Sequence, residues 1–254
     1  MAASLRQAAP VLEVRDLRKS FTIHALGRHV EALAGVDLVV RAGEHVALVG
    51  PSGAGKSTLL KCVWRSCRPT SGAVWLRRAD GTVVDLAVAE DRQVAELRGE
   101  ELGYVSQLLR SEQRPSVVDV VRRAAIRRGV EANEASRVAE AALQRVALDR
   151  ELWDTHPVLL SGGERQRVNL AVGTVVPPAM LLLDEPVASL DARNREAVLG
   201  LIQDLAGAGV AVLSVFHDLD AGRALATRVV VLEGGRVANE GPPERVLASL
   251  VVPS

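Results

Sequence analysis

Along the chain, short contiguous apolar runs alternate with longer stretches in which apolar positions recur every three or four residues. The runs Met180–Leu183, Val210–Val215 and Val229–Leu232 have polar flanks and almost no internal alternation. A strand with one wet face has to alternate, so these runs predict strands buried on both faces, as in a parallel sheet. Val11–Val14, Val36–Val40 and Val46–Val49 predict further strands. Ala73–Leu76 and Thr82–Leu86 flank Asp80-Gly81, a dipeptide that accepts φ > 0 and so marks a hairpin turn. Strands alternating with helix-period stretches predict an α/β layer architecture. Between Gln107 and Pro157 the texture changes: Val138, Leu143 and Val146, with Arg and Glu between them, read as amphipathic helices. A helical unit inserted into an α/β core is the expectation. The first ten and last few residues lack such patterning and read as loose tails.

A length of 254 residues fits one large domain or two small ones, with a core that needs no disulfide or metal staple. Lysine plus arginine and aspartate plus glutamate both number 31, so the net charge is zero. That balance argues against a nucleic-acid binder relying on bulk positive charge. Six aromatic residues are too few for a single-strand stacking platform. Cys62 and Cys67, five apart in an expected helix, specify neither a disulfide framework nor a zinc site. No apolar run approaches the ~18 residues of a membrane span. No apolar segment of signal-peptide type follows Arg6, so a cytoplasmic location is expected. The cations are lopsided: Lys19, Lys56 and Lys61 stand against 28 arginines, which makes Lys56 conspicuous. Arg122, Arg123, Arg127 and Arg128 read as a solvated helix face, and His24, His29, His45 and His156 as surface or core residues.

The chemistry concentrates where a predicted strand meets a predicted helix. Gly50-Pro51-Ser52-Gly53-Ala54-Gly55-Lys56-Ser57, followed by Thr58, fits G-x-x-x-x-G-K-[ST] directly after Val46–Val49. Its glycines let backbone N–H groups turn inward as an anion nest, and the helix adds its positive end. Lys56 would reach the β- and γ-phosphates of a nucleoside triphosphate, and the Ser57 hydroxyl would ligate Mg²⁺. The other half of a magnesium site is a carboxylate ending a buried strand. Asp184 supplies it, acting through water, with Glu185 next in line to polarise an attacking water. A second anion-binding helix start is spelled by Ser161-Gly162-Gly163-Glu164, in which Ser161 and Glu164 also have capping-box spacing. One nucleotide does not need two cradles from one subunit. A head-to-tail pair of subunits would use both.

Taken together, Gly50–Ser57, Leu160–Glu164, Leu181–Glu185, Ser189-Leu190-Asp191 and His217 resemble ABC-type ATPases in order and spacing, over nearly the whole chain. The resemblance implies a single ABC ATPase domain over 1–254: a P-loop NTPase (RecA-like) core plus an antiparallel β subdomain, together 11–106 and 159–254, and an inserted helical subdomain (about 107–158). It implies ATP and Mg²⁺ as cofactors, ATP hydrolysis, and a nucleotide-sandwich homodimer, or heterodimer with a second ABC subunit. By position, Gln107 matches the glutamine that contacts Mg²⁺ and the attacking water. His217 matches the switch histidine, Asp191 the interface aspartate, and Phe21 the aromatic that stacks on adenine. Ser161, Gly162, Gly163 and Glu164 would act in trans.

Local stretches are more particular: Phe21–His24, Val83–Leu86, Val105–Arg110, Trp153, Arg167–Asn169, Ala188–Asn194 and Val215–Asp218 resemble the L-subunit family of the phosphonate C–P lyase system. Partners from the C–P lyase complex are then expected. The alternative is the ATP-binding motor of a membrane transporter, resembling the lipoprotein-release or macrolide-exporter type and paired with a transmembrane permease. No direct nucleic-acid partner is expected. Ser111-Glu112-Gln113, Leu160, Val172 and Val187 depart from that family's pattern.

Overall fold

Two sheets organise the chain in the computed structural model, which describes residues 9–23, 27–106, 115–188, 190–216 and 219–250. The first is antiparallel. It contains β1 (Pro10–Ile23), β2 (Arg28–Arg41), β4 (Ser71–Arg77) and β5 (Val83–Asp85) in the order β2-β1-β4-β5. The second contains β3 (His45–Val49), β6 (Leu102–Val105), β7 (Met180–Asp184), β8 (Ala211–Val215), β9 (Arg228–Glu233) and β10 (Arg236–Gly241) in the order β10-β9-β3-β8-β7-β6. The ladders joining β9, β3, β8, β7 and β6 are parallel, and β10 closes the edge antiparallel to β9.

The apolar runs failed to alternate because both faces of this second sheet are covered. Val46, Leu48, Met180, Leu182 and Leu213 belong to one apolar cluster with Leu59, Leu60 and Val63 of α1 (Lys56–Val63) and with Leu12, Val14 and Leu76 of the antiparallel sheet. Their strand neighbours Ala47, Val49, Leu181, Leu183 and Val212 belong to the other cluster. That second cluster also draws on α3 (Val117–Arg127), α4 (Ala135–Arg145), α5 (Gly162–Thr174) and α6 (Ala192–Gly207). Each side chain fully withdrawn from water here contributes roughly 2 kcal/mol of transfer free energy.

Several elements exceed what the pattern predicts. Val11–Val14 and Val36–Val40 are only parts of two 14-residue strands, which also bury Leu17 and Leu33; beyond them Ser20–Ile23 pairs with Arg28–Glu31, where no contiguous apolar run marks a strand. Thr82 lies in the turn rather than in β5, its backbone N–H bonded to Asp80 Oδ1 at 2.9 Å. The shared helix expected for the two cysteines ends early. Arg65, at φ +65°, turns the chain out of α1, so Cys62 lies in the helix and Cys67 beyond it, both as free thiols. Helices α2 (Asp91–Glu100), α7 (Leu219–Leu225) and α8 (Pro243–Leu250) complete the chain.

The basic cluster is not a single solvated face either. Arg122 pairs with Asp119 at 2.7 Å, while Arg128 lies half-buried with its guanidinium on the carbonyls of Leu102 and Val176. Burial holds the Arg128 pKa below its ordinary value. His45 is a core residue: its Nε2 lies 2.7 Å from Ser214 Oγ, and desolvation lowers its pKa to about 4.

Candidate nucleotide and magnesium site

Strand β3 ends at Val49, and the chain folds tightly over residues 50–55 into α1. Two glycines are required by contact as well as by conformation. Gly50 has φ +143° and a Cβ there would lie 2.1 Å from the Leu232 carbonyl oxygen. Gly55 has φ +104° and would meet the Ala32 carbonyl oxygen at 2.4 Å. Gly55 is also the N-cap of α1, and having no side chain it leaves the first-turn donors without a side-chain cap. A helix start without a side-chain cap, following a glycine-rich turn, has the donors and the dipole to receive an anion. Pro51, Ser52 and Gly53 are exposed at the mouth, Ala54 is buried, and Thr58 is half-buried in the first turn.

Lys56 is folded back onto the loop: its Nζ donates to the carbonyls of Gly50 at 2.8 Å and Pro51 at 2.9 Å. Burial pulls its pKa down, and Glu185 and Asp184 oppose that shift, so both carboxylates share its electrostatic environment. Ser57 Oγ donates to Asp184 Oδ1 at 3.1 Å. Tyr104 Oη donates to the other oxygen, Asp184 Oδ2, at 3.3 Å. The next residue, Glu185, is held at φ +55° with its N–H on the Val215 carbonyl at 3.1 Å. A left-handed non-glycine residue costs on the order of 1 kcal/mol, and such strain gathers at functional sites. The hydroxyl and carboxylate are hard oxygen donors of the kind Mg²⁺ takes. Among the described residues no group of three His, Cys, Asp or Glu forms a protein cage. That donor set fits an ion shared with phosphate oxygens and water rather than one held by protein alone.

The second helix start is a separate feature. Ser161 caps α5 by accepting from Glu164 N at 3.3 Å, while Glu164 Oε2 accepts from Ser161 N at 2.7 Å. These bonds hold the Glu164 carboxyl below its ordinary pKa. Ser161 and Gly162 are exposed and Gly163 half-buried. Among the described residues the hydrogen bonds of this capping box are not shared with the Gly50–Ser57 loop. Asp191 caps α6, accepting from Asn194 N at 2.9 Å. Phe21 stands on β1 opposite Val30, 41% exposed, with Lys19 Nζ 4.9 Å from its ring centre. Gln107, Ser189 and His217 lie outside the described residues.

Three residues to which the motifs assign no role hold this geometry, although Asn169 falls in one of the resembling stretches. Gln166 Nε2 donates to the Pro186 carbonyl at 3.3 Å, and Asn169 Nδ2 donates to the carbonyl of Ser106, the residue before Gln107. Both are buried polar groups on α5, where Arg167 and Thr174 are buried as well, and each needs a hydrogen-bond partner there. Tyr104, the only tyrosine, gives no signal of its role in the sequence because its partner is 80 residues away in the chain.

The sequence profile described as ABC transporter matches residues 33–188. The chain is 38% identical over 245 residues to the hemin import ATP-binding protein HmuV of Bradyrhizobium diazoefficiens, covering 93% of this chain and 85% of that one. It is 36% identical over 233 residues to the phosphonates import ATP-binding protein PhnC 2 of a Synechococcus species, with 87% and 82% covered. Among solved structures, the dimeric post-hydrolysis state of an ATP-binding cassette bound to ADP and Pi superposes with a TM-score of 0.82. That match is at 25% identity, over 91% of this chain and 98% of that one.

This chain belongs to the ABC transporter family and is an ATPase with the P-loop NTPase fold. The relatives named above are import ATP-binding proteins, which supports the transporter alternative better than the C–P lyase expectation, though as an importer rather than the exporter type.

Proposed function

We propose that this chain is the ATP-hydrolysing motor subunit of an ABC importer, working as a nucleotide-sandwich dimer against a transmembrane permease. The observation that carries the reading is the convergence of Lys56, Ser57, Asp184 and Glu185 at one helix start, in a chain whose relatives include import ATP-binding proteins. Ser57 and Asp184 would hold Mg²⁺, which supplies positive charge against the β- and γ-phosphate oxygens when bound. Lys56 leaves the Gly50 and Pro51 carbonyls for those oxygens, exchanging one set of acceptors for a stronger, charged one. Glu185 takes the proton of the attacking water, with Gln107 and His217 completing the γ-phosphate end. Ser161, Gly162, Gly163 and Glu164 of a second subunit close over the same nucleotide, Asp191 lies at that interface, and Phe21 stacks on the adenine. The helical subdomain expected at about 107–158, described here from residue 115, engages the permease.

A second reading, an ATPase of the phosphonate C–P lyase system, is favoured by the local stretches at Val105–Arg110, Ala188–Asn194 and Val215–Asp218. Affinity purification of the tagged chain from its native host grown on a phosphonate, then on haem and on amino acids, tests both. Copurification of a membrane permease supports the importer. Recovery of C–P lyase subunits without a permease replaces it with the second reading.

A further inference from the structure

The carboxylate of Asp184 has its two oxygens occupied by two different elements. Oδ1 faces Ser57 at the start of α1, and Oδ2 accepts from the Tyr104 hydroxyl on β6. The phenol is itself held. Its ring stacks on Trp64, centres 5.3 Å apart at 21°. Trp64 is the C-cap of α1, the same helix whose first turn carries Lys56 and Ser57. The Arg98 guanidinium lies 4.8 Å from the Trp64 ring centre and donates to the Trp64 carbonyl from Nε at 2.9 Å and Nη2 at 2.6 Å. A column of Arg98, Trp64 and Tyr104 thus runs from α2 past the far end of α1 to the acid at the near end.

We propose that Tyr104 is a positioning residue for the magnesium site, its hydroxyl fixing the rotation of the Asp184 carboxylate so that Oδ1 stays presented to Ser57 and the incoming ion. The inference rests on the ATPase reading above. A phenol, with its ordinary pKa of about 10, is protonated at neutral pH and can donate. A hydroxyl donating to a carboxylate is a charge-assisted bond and is directional. Phenylalanine would preserve the stack on Trp64 and remove only that bond. Losing a hydrogen-bond partner behind a metal ligand costs roughly 10–100-fold in metal affinity. Asp184 would hold the ion through water, so the loss expected here is smaller, about 3–10-fold, on the same grounds.

The test is titration of the ADP-loaded protein with Mn²⁺, read by electron paramagnetic resonance, for wild type, Tyr104→Phe, Asp184→Asn and the double variant. Tyr104→Phe raises the Mn²⁺ half-saturation about 3–10-fold, leaves metal-free ADP binding within about twofold, and adds nothing in the Asp184→Asn background. Unchanged or tighter Mn²⁺ binding, or an equal penalty with Asp184 already removed, overturns the assignment. Wild type that binds no ADP at all overturns the ATPase reading instead. Should Tyr104→Phe not fold, the single tyrosine still reports: its ¹³Cζ resonance in labelled protein must move on Asp184→Asn. A stationary signal also overturns the proposal.

Discussion

The helix that starts at Lys56 and the helix that starts at Gly162 both present glycine-rich, positively polarised ends, yet they treat their free N–H donors in opposite ways. Gly55 offers the first no side-chain cap, and Lys56 and Ser57 rest on placeholders, the loop carbonyls and Asp184. The second is closed on itself by the Ser161–Glu164 capping box and looks outward. A helix end with only glycine at its cap, at a cost of roughly a few tenths of a kcal/mol, is suited to a ligand that supplies the missing acceptor. A capped end is stable without one and becomes an anion site only when something arrives from outside. On the function proposed above, the first is a site within the chain and the second is half of an interface.

Four changes would break or sharpen this contrast, beginning with the largest effect. Glu185→Gln should cut ATP turnover by about 10²–10⁴ and leave ATP-bound dimers accumulating in size-exclusion chromatography. Full turnover would remove Glu185 from the open end's chemistry. Lys56→Ala should lower turnover by about 10²–10³ and weaken binding of a fluorescent ATP analogue. Unchanged affinity would mean that the uncapped turn is not the phosphate site.

Acid should then probe the floor beneath the open end. His45 has its pKa lowered to about 4 by burial, so it stays neutral when folded while the unfolded chain takes up a proton below pH 6.5. Its share of stability is complete above pH 6.5 and falls by about 3 kcal/mol as pH drops to 4. Urea unfolding of His45→Gln should lose that pH dependence, and an identical profile would sink it. The smallest effect belongs to the capped end. Ser161→Ala should cost about 1 kcal/mol in urea unfolding while ATP affinity of the monomer stays unchanged. Impaired nucleotide binding in the monomer would place the second helix start inside the first site and erase the distinction.

What could be read from the chain itself followed from local chemistry. The unalternating runs Met180–Leu183 and Val229–Leu232 reported strands covered on both faces, because sequence records burial directly as the absence of polar positions. The loop Gly50–Ser57 was legible because an anion nest is made by consecutive residues. The outer reach of β1 and β2 was not, since a strand pair lacking a contiguous apolar run is fixed by its ladder rather than by hydrophobic period. Arg128 looked like part of a solvated face and turned out to serve buried carbonyls, a matter of what packs beside it.

By itself, then, the sequence determined the α/β alternation, the phosphate loop, and the Asp184-Glu185 pair at a strand end, all set by contiguous residues. Only the tertiary structure decided that Ser57 meets Asp184 across 127 positions, that Tyr104 holds the other carboxylate oxygen, and that Asn169 bonds the carbonyl before Gln107. The physical reason is common to all three. A hydrogen bond between distant residues depends on how parallel strands are ordered in the sheet and how helices lie against it, and no local pattern encodes that order.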